Sequence, residues 1–120
     1  MLNLLFLIAA VSDIGYGEIS ATCKGRVIQA EATACAWDSY HRADAEMNEV
    51  WRSTRSDRSA GNDVEAALLK SQRAFLIYRE QTCKVPYLVE SPGTIAPMEQ
   101  ANCLTEITIH RVAELRKLFK

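Results

Sequence analysis

The sequence lacks the motifs that mark several large functional classes. Its 120 residues contain no C-x-x-C pair, no H-E-x-x-H, no G-x-S-x-G and no glycine-rich phosphate loop, so the usual residues of zinc proteases, serine hydrolases and P-loop enzymes are missing. The formal net charge of −1 gives no bulk electrostatic reason to expect nucleic acid. No apolar run approaches the roughly 20 residues of a membrane-spanning helix. We therefore expect a protein-binding domain rather than an enzyme, with no cofactor, no metal and no stable membrane span.

Proline and glycine are also scarce, at three and five residues. Long stretches without either residue favour helices, and the scattered β-branched residues form no strand pattern. The chain is 48% hydrophobic and 24% charged, which is typical of a globular protein, and its length suits one domain. The sequence therefore predicts an all-α fold, a three-helix antiparallel bundle.

The N-terminus begins with a short apolar run, MLNLLFLIAAV. Its length fits the apolar region of a secretory signal peptide, and small residues follow it. We predict a signal peptide over residues 1–17, with cleavage after Gly17 or Ala21, and a helical domain over residues 18–120. No Lys or Arg precedes the apolar run, so the alternative is a buried N-terminal helix. An exported chain would be periplasmic or secreted.

The chain has four cysteines, Cys23, Cys35, Cys83 and Cys103. An even number of cysteines in a short chain behind a signal-like segment predicts two disulfides. The alternative is a zinc site. It is disfavoured because neither His41 nor His110 lies at zinc-ligand spacing from the cysteines.

The spacing of apolar residues predicts where the three helices lie. The first covers residues 29–55, with an apolar seam that repeats at spacings of four and three. The second begins at Asn62, a candidate cap with Glu65 as its capping-box partner, and ends near Cys83. The third runs from a cap at Asn102 to the C-terminus. The expected core-facing residues are Ala36, Tyr40, Ala43, Met47 and Val50, then Val64, Leu68, Phe75 and Tyr78, then Leu104, Ile107, Val112, Leu115 and Leu118.

All three prolines and one glycine fall between the second and third helices. They predict a long loop over residues 84–101. A helix–loop–helix hairpin would bring Cys83 to Cys103, which leaves Cys23 to pair with Cys35. Long loops are often functional, and the alternative is a plain connector. The candidate partner-binding residues in this loop are Tyr87, Glu90, Ser91, Gly93 and Thr94.

Antiparallel packing of the first two helices also predicts a side-chain pair. With Arg55 and Asn62 at one end of the hairpin, Asp44 lies near the level of Arg73, and we expect an ion pair between them, with Asn48 one turn away. A polar network that fixes helix register is favoured over a catalytic carboxylate, because neither a nucleophile nor a metal cluster accompanies Asp44.

A set of cysteine, polar and apolar positions forms a pattern along the chain. Its members are Cys35, Ala36, Tyr40, Asp44 and Asn48, then Gln72, Arg73, Ala74, Phe75, Tyr78, Arg79, Glu80 and Cys83, then Cys103, Leu104, Thr105, Arg111 and Leu115. Over residues 23–118 this pattern resembles the LprI-type lysozyme-inhibitor family of exported bacterial domains. Phe75 stands where that family usually has Trp, Glu80 where it has Asp, and Pro92-Gly93-Thr94 where it has Gly-Gly-Ser.

The resemblance implies a helical, envelope-facing or periplasmic protein whose partner is another protein, such as a lysozyme. Animal lysozymes are basic, so an inhibitor gains from acidity. Without Asp13, the fifteen acidic residues fall to fourteen, which equals the number of Lys and Arg. One alternative is an envelope protein that binds a different partner, such as a toxin. The other is a small helical exported enzyme with a bundle pocket lined by Gln72, Arg73, Arg79 and Glu106.

Overall fold

A computed structural model describes residues 23, 28–56 and 61–118 of the chain. The predicted signal peptide and both candidate cleavage sites lie outside these residues. The described residues form three helices, α1 (Gln29–Arg55), α2 (Asn62–Glu90) and α3 (Ala96–Lys117), and no strand occurs among them. The predicted all-α, three-helix fold is confirmed. None of the helices in these ranges is long and apolar enough to cross a membrane.

The first helix has the predicted bounds because nothing interrupts its apolar seam. Its sequence contains neither Gly nor Pro, and Ala36, Ala43 and Met47 are buried on one face. Tyr40 and Val50 are half-buried at the edges of the same face. The spacing of four and three residues therefore identified the packed side of α1 correctly.

The second helix begins at the predicted residue, but its cap differs from the prediction. The N-cap is Gly61, whose φ of 85° favours glycine, and no side chain caps the first turn. The predicted capping box is therefore wrong. Glu65 instead contacts Arg55 across the α1–α2 connection, with 3.5 Å between Oε1 and Nε.

The predicted loop over residues 84–101 is also wrong, because α2 continues through Pro86 to Glu90. Proline lacks the N–H of one helical hydrogen bond. The helix is held on both sides of this defect, by the disulfide of Cys83 before it and by a bond from the Ser91 amide to the Tyr87 carbonyl after it.

The third helix begins six residues before its predicted cap. Pro97 lies in the first turn of α3, where a missing N–H is tolerated because that group would have no helical partner. Asn102, the predicted cap, is an interior residue of the helix. The connection between α2 and α3 is therefore reduced to residues 91–95.

The third helix is the central element of the bundle. It packs against both α1 and α2, whereas α1 and α2 contact each other less. Ten residues of α3 are buried, against four on each of the other two helices. Met47, Leu68, Val112 and Leu115 form the apolar cluster where the three helices meet. Of the residues expected in the core, Val64, Tyr78 and Leu118 are instead exposed.

Two disulfides staple the bundle, with the predicted pairing. Cys23 is bonded to Cys35 across a Cα–Cα distance of 5.6 Å, and Cys83 to Cys103 across 5.5 Å. The first bond ties the segment before α1 to the helix. The second fixes the last two turns of α2 against α3.

Candidate functional site

Polar side chains from all three helices meet in the core around Arg79 of α2. Its Nη1 lies 2.8 Å from Oδ1 of Asp44 on α1 and donates a hydrogen bond of 3.0 Å to Oγ1 of Thr108 on α3. The Arg79 side chain is only 9% exposed, and that of Asp44 is 29% exposed. A buried guanidinium is costly without a carboxylate partner, so this contact fixes the three helices relative to one another.

The predicted ion pair between Asp44 and Arg73 is wrong. Arg73 is exposed on α2, directly after the buried Gln72. Each residue of an α-helix turns the side chain by about 100°, so Arg73 points away from the face that holds Gln72 and Arg79. Asn48 does lie one turn from Asp44, with 3.5 Å between Nδ2 and Oδ2.

Aromatic rings cover the faces of the two buried guanidinium groups. The Arg79 guanidinium carbon lies 5.2 Å from the centroid of Tyr40 and 5.7 Å from that of Phe75. Arg111 lies 5.2 Å from the same Phe75 ring. Nε of Arg79 is buried and has no hydrogen-bond partner. The attraction between a cation and a ring face therefore supplements the hydrogen bonds of this charge.

Arg111 of α3 forms the second half of the polar network. Its Nε donates to Oε1 of Gln72 at 3.0 Å, and its Nη2 donates to Oγ of Ser71, also at 3.0 Å. Nη1 lies 3.5 Å from Oε1 of Glu114. The amide nitrogen of Gln72 in turn lies 3.7 Å from the Met47 sulfur. Hydrogen bonds thus connect α2 with α3 through the core.

Tyr40 lies at the edge of this network and has a shifted pKa. Burial raises the pKa of its phenol above the usual 10.0, the carboxylates of Asp44 and Glu80 raise it further, and Arg79 opposes them. The ring also packs edge-to-face on Trp37, with 5.8 Å between centroids. The neutral phenol is therefore the form that suits the folded protein.

The structure brings together most of the pattern residues singled out from the sequence. Tyr40, Asp44, Gln72, Arg79 and Arg111 belong to the polar network described above. Thr105 is buried nearby and donates to the Ala101 carbonyl at 2.8 Å, whereas Arg73 and Tyr78 are exposed. Sequence reasoning missed Thr108 and Ser71. The signal for Thr108 was its place one helical turn after Leu104, on the buried face of α3.

The arrangement around Arg79 and Arg111 favours a structural role. Each guanidinium is engaged by side chains of neighbouring helices, and the Asp44 carboxylate is paired. Among the described residues, no group of three His, Cys, Asp or Glu side chains could hold a metal ion. The network therefore fixes the shape of the bundle and leaves its outer surfaces to contact partners.

The predicted partner-binding residues lie together at one end of the bundle. Tyr87 and Glu90 belong to the last turns of α2, and Ser91, Gly93 and Thr94 to the connection. We call residues 87–95 the tip; all nine are exposed.

Backbone hydrogen bonds hold the tip in one tight turn. The Gly93 amide donates to the Glu90 carbonyl at 2.8 Å, and the Ala96 amide donates to the Gly93 carbonyl at 3.2 Å. A Cβ atom at position 93 would lie 2.7 Å from the Glu90 oxygen, so only glycine fits without a shift. The tip is a short, ordered turn rather than a long loop.

A second exposed feature runs along the solvent-facing side of α2, away from the buried residues of that helix. We call it the outer stripe. Its members are Ala74, Ile77, Tyr78, Gln81, Val85, Leu88 and Val89. Ile77 is 65% exposed, Leu88 68% and Val89 73%. Spacings of three and four residues place these side chains on one helical face.

An open groove of about 410 Å³ lies beside the outer stripe, between α2 and α3. Its lining residues are Phe75, Tyr78, Glu106, Ile107, His110 and Glu114. Apolar and aromatic side chains thus form most of the groove, with two carboxylates at Glu106 and Glu114. Tyr78 connects it to the outer stripe, which makes this side of the molecule a continuous, partly apolar surface.

Comparison with known proteins gives two matches. The model of the family described as lysozyme inhibitor LprI matches residues 20–115. An uncharacterised protein of Rhizobium meliloti (strain 1021) is 34% identical over an alignment of 110 positions that covers 82% of this chain and 78% of that protein. No solved structure matches the chain.

Proposed function

Because the chain belongs to the LprI lysozyme-inhibitor family, as its sequence pattern indicated, we propose that it binds a lysozyme and inhibits it. The observation that carries this proposal is the family match over residues 20–115, which includes almost the whole helical bundle. The surface of this chain that contacts the enzyme follows from the exposed features of the bundle.

The tip is the part of the molecule that we propose to enter the lysozyme cleft. Lysozyme cleaves its substrate with two carboxyl groups in a cleft, and an inhibitor must fill that cleft or cover it. The tip is exposed at the end of the bundle, and its backbone is held by its own hydrogen bonds. A preorganised turn loses little conformational entropy on binding.

Two side chains of the tip have the chemistry of contact residues. Tyr87 is 37% exposed, and tyrosine combines a large apolar ring with a polar hydroxyl, which suits an interface anchor. Glu90 is an exposed acid at the end of α2. Its charge favours encounter with a basic lysozyme, although the chain as a whole is nearly neutral.

The disulfides support an exported location. Structural disulfides form and persist in oxidising compartments, and all four cysteines of the chain are paired. We propose that the protein is periplasmic or secreted after removal of residues 1–17. Cell fractionation followed by intact-mass measurement tests this. A cytoplasmic protein that retains its first 17 residues would contradict it.

A muramidase assay tests the inhibition directly. The oxidised protein is mixed with c-type, g-type and i-type lysozymes, and lysis of cell walls is followed by turbidity. We expect inhibition of at least one class. A sample with reduced disulfides should lose the effect, because the base of the tip would no longer be fixed.

Variants of the tip connect the activity to the proposed surface. The double variant Tyr87→Ala/Glu90→Lys removes the aromatic anchor and reverses one charge, and we expect it to weaken inhibition about tenfold or more. Glu49→Lys makes the same charge change at an exposed site of α1 and serves as the matched control. Inhibition that is equal in both variants would exclude the tip. The lack of inhibition of every lysozyme class would refute the proposal and favour a different envelope partner.

The geometry differs from the arginine-lined pocket that a helical enzyme would need. Arg79 and Arg111 are engaged in the buried network, and Arg73 lies on the surface. Glu106, the remaining member of that predicted pocket, lies apart from them in the groove between α2 and α3, which contains no arginine. These contacts support an inhibitor or binding domain over the enzymatic alternative.

A further inference from the structure

The outer stripe of α2 is an apolar surface on a helix whose other face already forms the core. Its seven residues carry no charge, and they extend over positions 74–89. At a rise of about 1.5 Å per residue, the stripe is about 22 Å long. The buried face of α2, which includes Leu68, Gln72, Arg79 and Cys83, lies on the opposite side of the helix. Packing within the bundle therefore does not explain the stripe.

The exposed area of the stripe is large for a chain of this size. Five large side chains contribute to it, with exposed fractions of 65% for Ile77, 57% for Tyr78, 58% for Val85, 68% for Leu88 and 73% for Val89. Together they expose on the order of 600 Å², the upper end for the largest apolar patch of a typical monomer. Complete burial of two such patches would remove about 1,200 Å² from water, which is the lower end for a specific stable interface.

We propose that the outer stripe is the interface of a homodimer in which two copies of α2 pack antiparallel about a two-fold axis at Gln81. Gln81 lies near the middle of the stripe. In this register, Ile77 of one copy lies opposite Val85 of the other, and Ala74 lies opposite Leu88. Ile77 thus meets a β-branched residue and Leu88 meets the small Ala74, and the arrangement is closed after two copies.

Gln81, at the centre of the stripe, can pair with the Gln81 of a second copy. A glutamine amide both donates and accepts hydrogen bonds, so the two Gln81 side chains can pair across the axis. A single polar residue within an apolar helical seam is a known way to fix register and partner number in coiled coils. Gln81 is the only member of the outer stripe with a polar amide.

The composition of the stripe also favours a second copy. Its seven members carry no charge, and the axis at Gln81 sets apolar residues against apolar residues, Ile77 against Val85 and Ala74 against Leu88. Glu80 and Lys84 flank the stripe on one side and would lie at the rim of the interface, where charges contribute little. This self-complementarity is why we assign the stripe to a second copy rather than to a different protein.

The test is a charge exchange across the proposed axis. Sedimentation equilibrium of the oxidised protein over roughly 1 μM to 1 mM should show a monomer–dimer equilibrium. Ile77→Lys and Val85→Glu each place a charge in the interface, and each should raise the dimer dissociation constant about tenfold or more. The double variant I77K/V85E should restore the dimer, because the Lys of each copy would face the Glu of the other, which gives two ion pairs per dimer. Val64→Glu, an exposed change on the same helix outside the stripe, is the matched control.

Each outcome decides the proposal. Dimerisation that both single variants weaken and the double variant restores supports the antiparallel two-fold arrangement. A protein that is monomeric over the whole range refutes it, and so does a dimer that neither single variant weakens. A dimer weakened by the single variants and not restored by the double variant refutes this register. Circular dichroism of every variant checks that these exposed substitutions leave the fold intact.

Discussion

Removal of the Asp44 carboxylate should strongly destabilise the bundle, because Arg79 would remain as a buried charge. Arg79 is 9% exposed, and its remaining polar contact would be the Thr108 hydroxyl. Loss of one partner of a buried ion pair costs about 3–5 kcal/mol. Asp44 is itself 29% exposed, so water can partly replace it, and we expect about 3 kcal/mol for Asp44→Ala.

A double-mutant cycle separates the pair from its surroundings. Arg79→Met keeps much of the side-chain volume and leaves Asp44 partly solvated, so it should cost only about 1–2 kcal/mol. The double variant Asp44→Ala/Arg79→Met should cost less than the two single changes together, with a coupling of about 2 kcal/mol. Urea unfolding followed by far-UV circular dichroism, with the disulfides intact, measures these free energies of unfolding.

Two results of the same cycle would contradict the proposed role of the Asp44–Arg79 pair. A free energy of unfolding for Asp44→Ala within about 1 kcal/mol of the parent would show that Arg79 does not depend on this carboxylate. Additive effects in the double variant would show that the two side chains are not coupled. A thermal scan provides a second measurement, since about 3 kcal/mol corresponds to a decrease in Tm of roughly 12–20 °C in a domain of this size.

Three further predictions follow from the structure. Arg73→Ala should change the free energy of unfolding by less than about 0.5 kcal/mol in the same urea titration, because its side chain is exposed; a larger loss would place Arg73 in the network. Cys83→Ala/Cys103→Ala should lower that free energy by about 3 kcal/mol, because the bond closes a separation of 20 residues; stability equal to the parent's would contradict this. For Tyr40, the raised pKa means that its stability contribution is present below about pH 10 and is lost as the pH rises through the folded-state pKa. Stability should therefore fall more steeply above pH 10 in the parent than in Tyr40→Phe, and equal slopes would refute the assignment.

The sequence predicted the helices well wherever an apolar seam ran without interruption. The bounds of α1 and the start of α2 are examples. It failed between α2 and α3 because proline was treated as a break. Pro86 removes only one hydrogen bond near the end of a helix that a disulfide holds, and Pro97 lies in a first turn, where no bond is lost.

The disulfide prediction succeeded even though the loop prediction failed. Cys83 and Cys103 are each ten residues from Gly93, the residue at the turn. Any antiparallel hairpin centred there brings the two cysteines together, whether the intervening residues are loop or helix. The pairing of Cys83 with Cys103 could therefore be predicted from the antiparallel order of the helices alone.

Side-chain partners required more than topology. The level of a residue along an antiparallel hairpin can be read from its number, but its direction around the helix axis cannot. Position along the hairpin alone predicted Arg73 as the partner of Asp44. The observed partner is Arg79, which lies seven residues after Gln72 and therefore on the same buried face of α2. The second helix is also apolar on two sides. Its spacing alone does not say which side α3 will cover, and Tyr78 was therefore assigned to the core.

The central place of α3 has a consequence for the order in which the fold forms during synthesis. The first two helices contact each other less than either contacts α3, and α3 is the last of the three to be synthesised. A chain that ends at Glu90 would lack Thr108, Val112 and Leu115, and we expect it to show no cooperative unfolding transition. The nascent chain should thus stay unfolded until its last helix is made, so that folding follows the completion of the chain.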